Sequence, residues 1–157
     1  MSLDRFDGRS QDRERTVADV LLGALDIGPD GHVLIADDGF GFVGDALSED
    51  GHVIHRWWRV ATERHGANVW PSGGPFSAAT LRLSKDKGAF EMAVCALASV
   101  LQPGAHLWIY GANDEGIKSA HKRLGTWFDP VVTADIRSHC RVVRATRTGH
   151  SDGLRGT

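Results

Sequence analysis

An acidic residue and three closely spaced glycines follow the first apolar run of the chain, in the segment DDGFGFVG at 37–44. Gly39, Gly41 and Gly44 form a Gly-x-Gly-x-x-Gly pattern between a predicted strand and a predicted helix. Glycines at such a turn let a ligand approach the backbone, and a helix N-terminus attracts an anion. Asp37 and the three glycines are therefore candidate cofactor-binding residues, although a tight strand-to-helix turn alone also favours this pattern.

The second predicted strand, GHVIHRWW at 51–58, tests that interpretation. An acid at the end of this strand would accept hydrogen bonds from both hydroxyls of an adenosine ribose. The strand ends without an acid, and Glu63 falls beyond it. His55 or Arg56 would suit a phosphate, as in NADP, or simply form a solvated strand end. The missing acid weakens every adenosine-cofactor hypothesis for this turn.

Histidine and cysteine spacing gives no further catalytic or metal site. The eight histidines form neither an HExxH motif nor a His–Cys cluster. His52 and His55 are the closest pair, and strand alternation directs them to opposite faces. Cys140 follows His139, but adjacent residues of a strand also face apart. We therefore predict no metal and no catalytic residues in this chain.

Composition indicates one ordinary globular domain. The chain has 157 residues, 41% of them hydrophobic, with a formal net charge of −2. This balance gives no global attraction to nucleic acid or to a membrane. Cys95 and Cys140 lie far apart and belong to no CxxC pair, which favours a reduced, cytoplasmic protein. No apolar run is long enough to span a bilayer.

Apolar periodicity predicts strands alternating with helices along most of the chain. The first predicted helix has Thr16 or Asp12 as its N-cap, and the last has Asn113 as its N-cap and Gly125 just after its end. Asp114 and Glu115 would repel a phosphate at that helix start, so we interpret the Asn113 turn as structural. The predicted helices are 16–25, a short helix after the glycine turn, 88–101 and about 114–124, and the predicted strands are 32–37, 51–58, 66–71, 76–84, 106–110, 130–135 and 140–146.

This alternation predicts βαβ units and a mostly parallel sheet. The strands at 130–135 and 140–146 have no helix between them, so they are expected to form an antiparallel hairpin at one edge. The expected class is therefore an α/β fold with helices on both faces of the sheet.

The segment from 75 to 146 resembles a known family, and the first 70 residues resemble it loosely. The family is the ribosomal RNA guanine-N2 methyltransferases of the RsmC/RlmG type, in the methyltransferase small-domain family, and the similar part is their degenerate N-terminal domain. The matching features are a strand that leads to Ser84-Lys85-Asp86-Lys87, a helix that ends in Leu101-Gln102-Pro103-Gly104, and the Gly-x-Asn-x-x-Gly turn from Gly111 to Gly116.

The resemblance implies a Rossmann-like S-adenosylmethionine methyltransferase fold. Proteins of this family have two similar halves, of which the C-terminal half binds S-adenosylmethionine and carries out the chemistry. The expected partners are therefore a C-terminal catalytic domain outside this chain and ribosomal RNA, with no membrane. The expected division is a flexible segment at 1–12, a methyltransferase-like domain at 13–147, and a tail or linker start at 148–157.

The family's amine-methylating loop has the form Asn/Asp-Pro-Pro-Tyr/Phe and follows the fourth strand. Its oxygens accept from the target amine, and its aromatic ring stacks on a flipped base. Here that position reads Leu-Arg-Leu-Ser-Lys-Asp at 81–86, with no Pro-Pro, Asn or aromatic residue. The missing loop argues against amine methylation. Because the second predicted strand also lacks the ribose-binding acid, we expect no bound cofactor in this chain, and S-adenosylmethionine only if the chain is active.

Aromatic and basic residues offer possible contacts to RNA or to a second domain. Trp57 or Trp58 must point outward from a strand, where it would stack on a base, pack on another domain or be covered by a local helix. Trp108 is expected in the core. A set of basic side chains would contact RNA phosphates or form a solvated face. The set is Lys85, Lys87, Lys118, Lys122 and Arg123.

Three functions follow from these observations. The leading one is the non-catalytic N-terminal half of a ribosomal RNA guanine-N2 methyltransferase, which supports the catalytic half and RNA positioning. The second is a stand-alone S-adenosylmethionine-dependent methyltransferase that uses the turn at Asp37–Gly44. The third is a nucleotide-binding oxidoreductase fragment. Whether the chain is itself an enzyme is left open by the sequence.

Overall fold

A computed structural model describes residues 2–28, 31–58, 71 and 73–149, with side chains from residue 8 onward. Its helices are α1 (Ser2–Ala24), α2 (Phe42–Glu49) and α3 (Lys87–Val100). Its strands are β1 (His32–Ala36), β2 (Val53–Trp57), β3 (Phe76–Arg82), β4 (Leu101–Ala112), β5 (Phe128–Arg137) and β6 (Cys140–Arg147). Short 3-10 segments at Asn113–Glu115, Ile117–Arg123 and Gly125–Trp127 connect β4 to β5.

The described strands form one sheet in the order β2-β1-β3-β4-β6-β5. β1 to β4 are mutually parallel, and β6 runs antiparallel to both of its neighbours, β4 and β5. The predicted mostly parallel sheet with an antiparallel hairpin at one edge is thereby confirmed. The carboxyl ends of β1 to β4 meet at one edge of this sheet, which is where ligands bind in open α/β folds.

Helices cover both faces of the sheet, as predicted. The apolar side of α1, around Leu21, packs with Val43 and Leu47 of α2 against Trp108 and Tyr110 of β4. α3 packs on the opposite face, together with residues of the 3-10 segment at Ile117–Arg123. Trp108 is 1% exposed, which confirms its predicted place in the core. No helix among the described residues is long and apolar enough to cross a membrane.

α1 is longer than its apolar pattern predicts. It begins at Ser2, so the predicted N-caps Thr16 and Asp12 are wrong. Both lie inside the helix, where the Thr16 hydroxyl donates to the Asp12 carbonyl oxygen at 3.0 Å. The apolar stripe begins only at Val17, and just before it Arg13 and Glu14 make ion pairs that leave no apolar period in the sequence. The division of the chain at residues 12 and 147 stays a prediction.

The segment after β4 also differs from its prediction. A single α-helix at 114–124 was expected, but Gly116 and Gly125 have φ angles of 90° and 65°, and 3-10 segments flank them. The predicted Asn113 cap is wrong, because the Asn113 side-chain oxygen is buried and has no hydrogen-bond partner. The Glu115 carboxylate instead accepts from the Ala112 N–H at 2.7 Å. The predicted strand at 66–71 lies outside the described residues, apart from Pro71.

Replacement of Leu21 by alanine tests how α1 is attached. Leu21 is fully buried against the sheet, so Leu21→Ala is expected to lower the free energy of unfolding by about 2–5 kcal/mol. Leu22 is only partly buried, and Leu22→Ala is the matched control with a smaller expected loss. Urea unfolding followed by circular dichroism measures both. Equal losses in the two variants would contradict the packing of α1 described above.

Candidate cofactor turn and the charged cluster at the strand ends

The structure brings Asp37, Gly39, Gly41 and Gly44 together in the connection from β1 to α2. Asp37 has a φ of 58°, and Gly41, the residue that precedes α2, has a φ of 82°. Gly41 is therefore in the left-handed region, where a glycine costs least. Gly39 is different, because a Cβ there would meet no atom within 4 Å. Backbone geometry thus explains the glycine at Gly41 but not at Gly39.

The side chain of Asp38 occupies the N-terminus of α2. Its carboxylate is buried and accepts from the Gly44 N–H at 2.9 Å and from the Val43 N–H at 3.4 Å. The Asp38 carbonyl oxygen accepts from the indole N–H of Trp58 at 3.2 Å. A helix N-terminus stabilises a negative charge through these free N–H groups. In this turn the chain itself supplies that charge.

The side chain of Arg56, on β2, lies directly over the turn. Its guanidinium is 2.7 Å from the Asp45 carboxylate and 3.5 Å from the Asp38 carboxylate. A Cβ at Gly44 would stand 2.6 Å from the Arg56 Cζ, so the glycine makes room for the guanidinium. β2 therefore places a cation where the ribose of an adenosine cofactor would require an acid.

His55, the other candidate for phosphate contact, faces away from the turn. Its Nε2 lies 3.0 Å from the His32 Nδ1, and its ring packs against Phe76 at a centroid distance of 5.0 Å. Of the two residues that the sequence singled out for phosphate, only Arg56 reaches the glycine turn, and there it is already paired with carboxylates.

A second charged cluster lies at the carboxyl ends of β3 and β4. Arg82, the last residue of β3, is only 8% exposed. Its Nε is 2.9 Å from the Glu14 carboxylate of α1, and its Nη1 is 2.7 Å from the Glu115 carboxylate. Arg13 adds a more exposed pair with Asp114 at 3.0 Å. We name Glu14, Arg82 and Glu115 the carboxylate clamp.

The contacts within the carboxylate clamp change the pKa values of Glu115 and Arg82. Burial alone would raise the pKa of Glu115, but hydrogen bonds from Arg82 and from the Ala112 N–H, with the charge of Arg13, lower that pKa to about 2. Burial would lower the pKa of Arg82, but its bonds to Glu115 and Glu14 raise it instead. Glu115 and Arg82 are therefore both charged at neutral pH and hold each other in place.

Apolar periodicity and motif spacing do not reveal this clamp. Arg82 interrupts the apolar run of β3, and a cation inside a buried strand requires an ionic partner. A charged residue inside this apolar run is therefore the feature of the sequence that indicates an ion pair at Arg82. The partners lie 68 and 33 residues away along the chain, so spacing could not identify them.

The remaining candidate residues do not assemble into a reactive site. Among the described residues, no group of three or more His, Cys, Asp or Glu side chains is arranged to hold a metal. The Cys140 thiol is buried, which raises its pKa, and it donates to the Ser138 carbonyl oxygen at 3.3 Å. A protonated thiol is a poor nucleophile.

The paired tryptophans are less exposed than the strand pattern predicts. Trp57 is 5% exposed and belongs to the core, and Trp58 is half-buried beside the Asp38 carbonyl oxygen. Lys85, Lys87 and the two lysines of the following 3-10 segment are exposed, whereas Arg123 pairs with Glu91 at 2.9 Å. Trp70 and Glu63 lie outside the described residues.

Comparison with known proteins identifies the family. Residues 54–151 match the family described as "Methyltransferase small domain N-terminal". The chain belongs to this family. The match includes β3, α3, β4 and the edge hairpin. It therefore includes the whole segment from 75 to 146 that resembles the family.

A curated relative and two solved structures agree with this assignment. The ribosomal RNA small subunit methyltransferase C of Pseudoalteromonas atlantica is 32% identical over 84 residues, which is 54% of this chain and 24% of that protein. The T. thermophilus 16S rRNA N2 G1207 methyltransferase RsmC, solved with AdoMet and guanosine, has a TM-score of 0.69 at 18% identity, over 88% of this chain and 40% of its own. The N-methyltransferase NodS of Bradyrhizobium japonicum WM9 has a TM-score of 0.55 at 14% identity, over 88% of this chain and 96% of its own.

These likenesses confirm the Rossmann-like methyltransferase fold. The family assignment confirms the resemblance to the N-terminal domain of the RsmC-type enzymes. The chain spans about a quarter of the length of the curated relative that it matches.

Replacement of Arg82 tests the carboxylate clamp. Arg82→Met leaves Glu14 and Glu115 without their shared cation, so we expect a loss of about 3–5 kcal/mol in the free energy of unfolding. The control is Arg123→Met, which breaks the exposed pair with Glu91 and is expected to cost less than about 1 kcal/mol. Chemical denaturation measures both. Similar small losses would show that the clamp contributes little to stability.

The pKa of Glu115 predicts how stability changes in acid. Because this pKa is lowered from 4.5 to about 2 in the folded protein, its contribution is complete above pH 4.5 and is lost as the pH falls toward 2. Glu115→Gln is expected to flatten the fall in the free energy of unfolding over this range, as measured by urea titration at successive pH values. Glu91→Gln, at an exposed ion pair, serves as the control. An unchanged slope in Glu115→Gln would contradict the prediction.

Proposed function

We propose that this domain is the non-catalytic N-terminal half of a ribosomal RNA guanine-N2 methyltransferase, where it braces the catalytic half and helps to position ribosomal RNA. The observation that carries the proposal is the filled turn between β1 and α2. Arg56 lies over Gly44, and Asp38 accepts from the first N–H groups of α2. S-adenosylmethionine would require that space and an acid from β2, so the residues present do not fit this cofactor.

The end of β3 supports the same conclusion about catalysis. A target amino group donates hydrogen bonds, so the loop that orients it must offer acceptors. Arg82 presents only donors, and the oxygens of Glu14 and Glu115 already accept from it. Arg82 therefore offers no acceptor that could orient an amine for methyl transfer at the end of β3.

The length comparison supports a division of labour between two halves. The matched family is an N-terminal domain, and the RsmC relative is about four times as long as the segment that this chain covers. A C-terminal catalytic domain would bind S-adenosylmethionine and hold the target guanine. This domain would act in the cytoplasm, where ribosomal RNA is methylated, by packing against that partner.

A stand-alone S-adenosylmethionine-dependent methyltransferase is the alternative, and Gly39 is the observation in its favour. A Cβ at Gly39 would meet no atom within 4 Å, and neither packing nor φ requires a glycine there. This is expected of a position that a ligand approaches. An oxidoreductase fragment has no comparable support, because the structural relatives named above are methyltransferases.

Calorimetric titration with S-adenosylmethionine tests the proposal. We expect no heat of binding and no thermal shift at millimolar ligand, because Arg56 and Asp38 occupy the turn. A bound ligand at 100 times its Kd would add about 2.7 kcal/mol of stability, which a thermal shift detects readily.

Two glycine variants make the result specific. Gly39→Val would block a cofactor at the turn, whereas Gly28→Val lies elsewhere, and neither new Cβ meets an atom within 4 Å. Micromolar binding that is lost in Gly39→Val and kept in Gly28→Val would overturn the proposal in favour of the stand-alone enzyme.

A further inference from the structure

Every lysine of the chain lies in one short stretch of sequence. Lys85 and Lys87 lie at the loop between β3 and α3, and Lys118 and Lys122 lie in the 3-10 segment Ile117–Arg123. All four side chains are exposed. The fourteen arginines, in contrast, are distributed along the whole chain. The fold therefore concentrates the chain's ammonium groups beside the carboxyl edge of the sheet.

A shallow crevice separates the two lysine-bearing elements. One wall consists of residues 83–87 and the other of residues 115–123. Lys85 and Lys87 stand on the first wall, and Ser119 and Arg123 stand on the second. Lys122 follows Ser119 by three residues, which places both on the same side of a 3-10 segment. Lys118 precedes Ser119 and is exposed on the same segment, beside the crevice and not in its lining. We name the crevice and the four lysines of its two flanking elements the lysine crevice.

The acids near the lysine crevice are already engaged. Glu115 pairs with Arg82, Glu91 pairs with Arg123, and the Asp86 carboxylate accepts from the Ala89 N–H at the start of α3. Among the described residues, none of the four lysines lies within ion-pair distance of an acid. The four lysines outnumber Asp86, the one nearby acid in the described part of the chain that has no arginine partner, so the lysine crevice keeps a net positive charge.

The character of this surface favours a phosphate backbone over a protein partner. A stable protein interface has an apolar centre, often aromatic. The exposed large apolar side chains of the described residues, which are Phe40, Val53, Val132 and Ile136, all belong to other elements. Lysine ammonium groups with serine hydroxyls are instead typical contacts to phosphate oxygens.

We infer that the lysine crevice binds the phosphate backbone of RNA. The inference rests on the proposed function, in which the domain helps to position ribosomal RNA, and it assigns that task to a defined surface. Backbone contacts carry no sequence information. The lysine crevice would therefore orient the RNA while the catalytic half selects the base.

Salt-dependent RNA binding tests the inference. The probe is a short fluorescein-labelled RNA hairpin, and fluorescence anisotropy with the 157-residue chain measures its affinity. The logarithm of the association constant falls linearly with the logarithm of the salt concentration, and each phosphate contact contributes about −0.7 to −0.9 to the slope. Four lysines therefore predict a slope near −3. Lys118→Gln/Lys122→Gln should reduce the magnitude of this slope by about 2 and weaken binding at least about tenfold at low salt.

A charge-matched control separates a local site from a net-charge effect. Arg9→Gln/Arg137→Gln removes two exposed cations from other elements and should leave affinity within about twofold. Lys118→Arg/Lys122→Arg keeps the charge and should keep the affinity. Equal losses in the lysine and arginine pairs would overturn the inference, as would absence of RNA binding by the unaltered chain. The cofactor titration does not involve the lysine crevice, so the non-catalytic role is judged separately from RNA binding.

Discussion

One buried cation, Arg82, links α1 to the ends of β3 and β4. Arg82 cannot remain charged at the end of β3 without nearby carboxylates, because an unpaired buried charge costs several kcal/mol. Glu14 reaches it from α1 and Glu115 from the segment after β4, so three distant parts of the chain meet at one guanidinium. The apolar stripe of α1 begins at Val17, and Glu14 extends the attachment of the helix by about one turn toward its N-terminus.

Two arginines occupy the two places where a methyltransferase of this fold would meet its ligands. Arg56 lies at the glycine turn and Arg82 at the end of β3, and each is surrounded by carboxylates from within the chain. If the proposed function is correct, the domain did not simply lose binding groups. Its own side chains then take the place of the ligands. Asp38 accepts from the N–H groups at the start of α2, and Arg56 fills the space over Gly44.

The sequence predicts the strands that bury apolar side chains. It does not predict the ion pairs between residues that are distant along the chain. The runs of β1, β3 and β6 identified the sheet and its edge hairpin, because buried strands have a recognisable composition. The start of α1 and the partners of Arg82 were missed, because an ion pair between residues 14 and 82 leaves no periodic trace. The sequence of β2 contains no acid, but nothing in its spacing indicates that Arg56 lies over Gly44.

The Asp38 carboxylate at the start of α2 affects how the stability of the domain would respond to cofactor concentration. A domain that needs a bound cofactor to satisfy its turn becomes more stable as that cofactor accumulates and less stable as it is depleted. Here a residue two positions past the strand permanently fulfils that requirement. If the proposed function is correct, the free energy of unfolding of this domain does not depend on the concentration of S-adenosylmethionine, because no cofactor is needed to complete the turn.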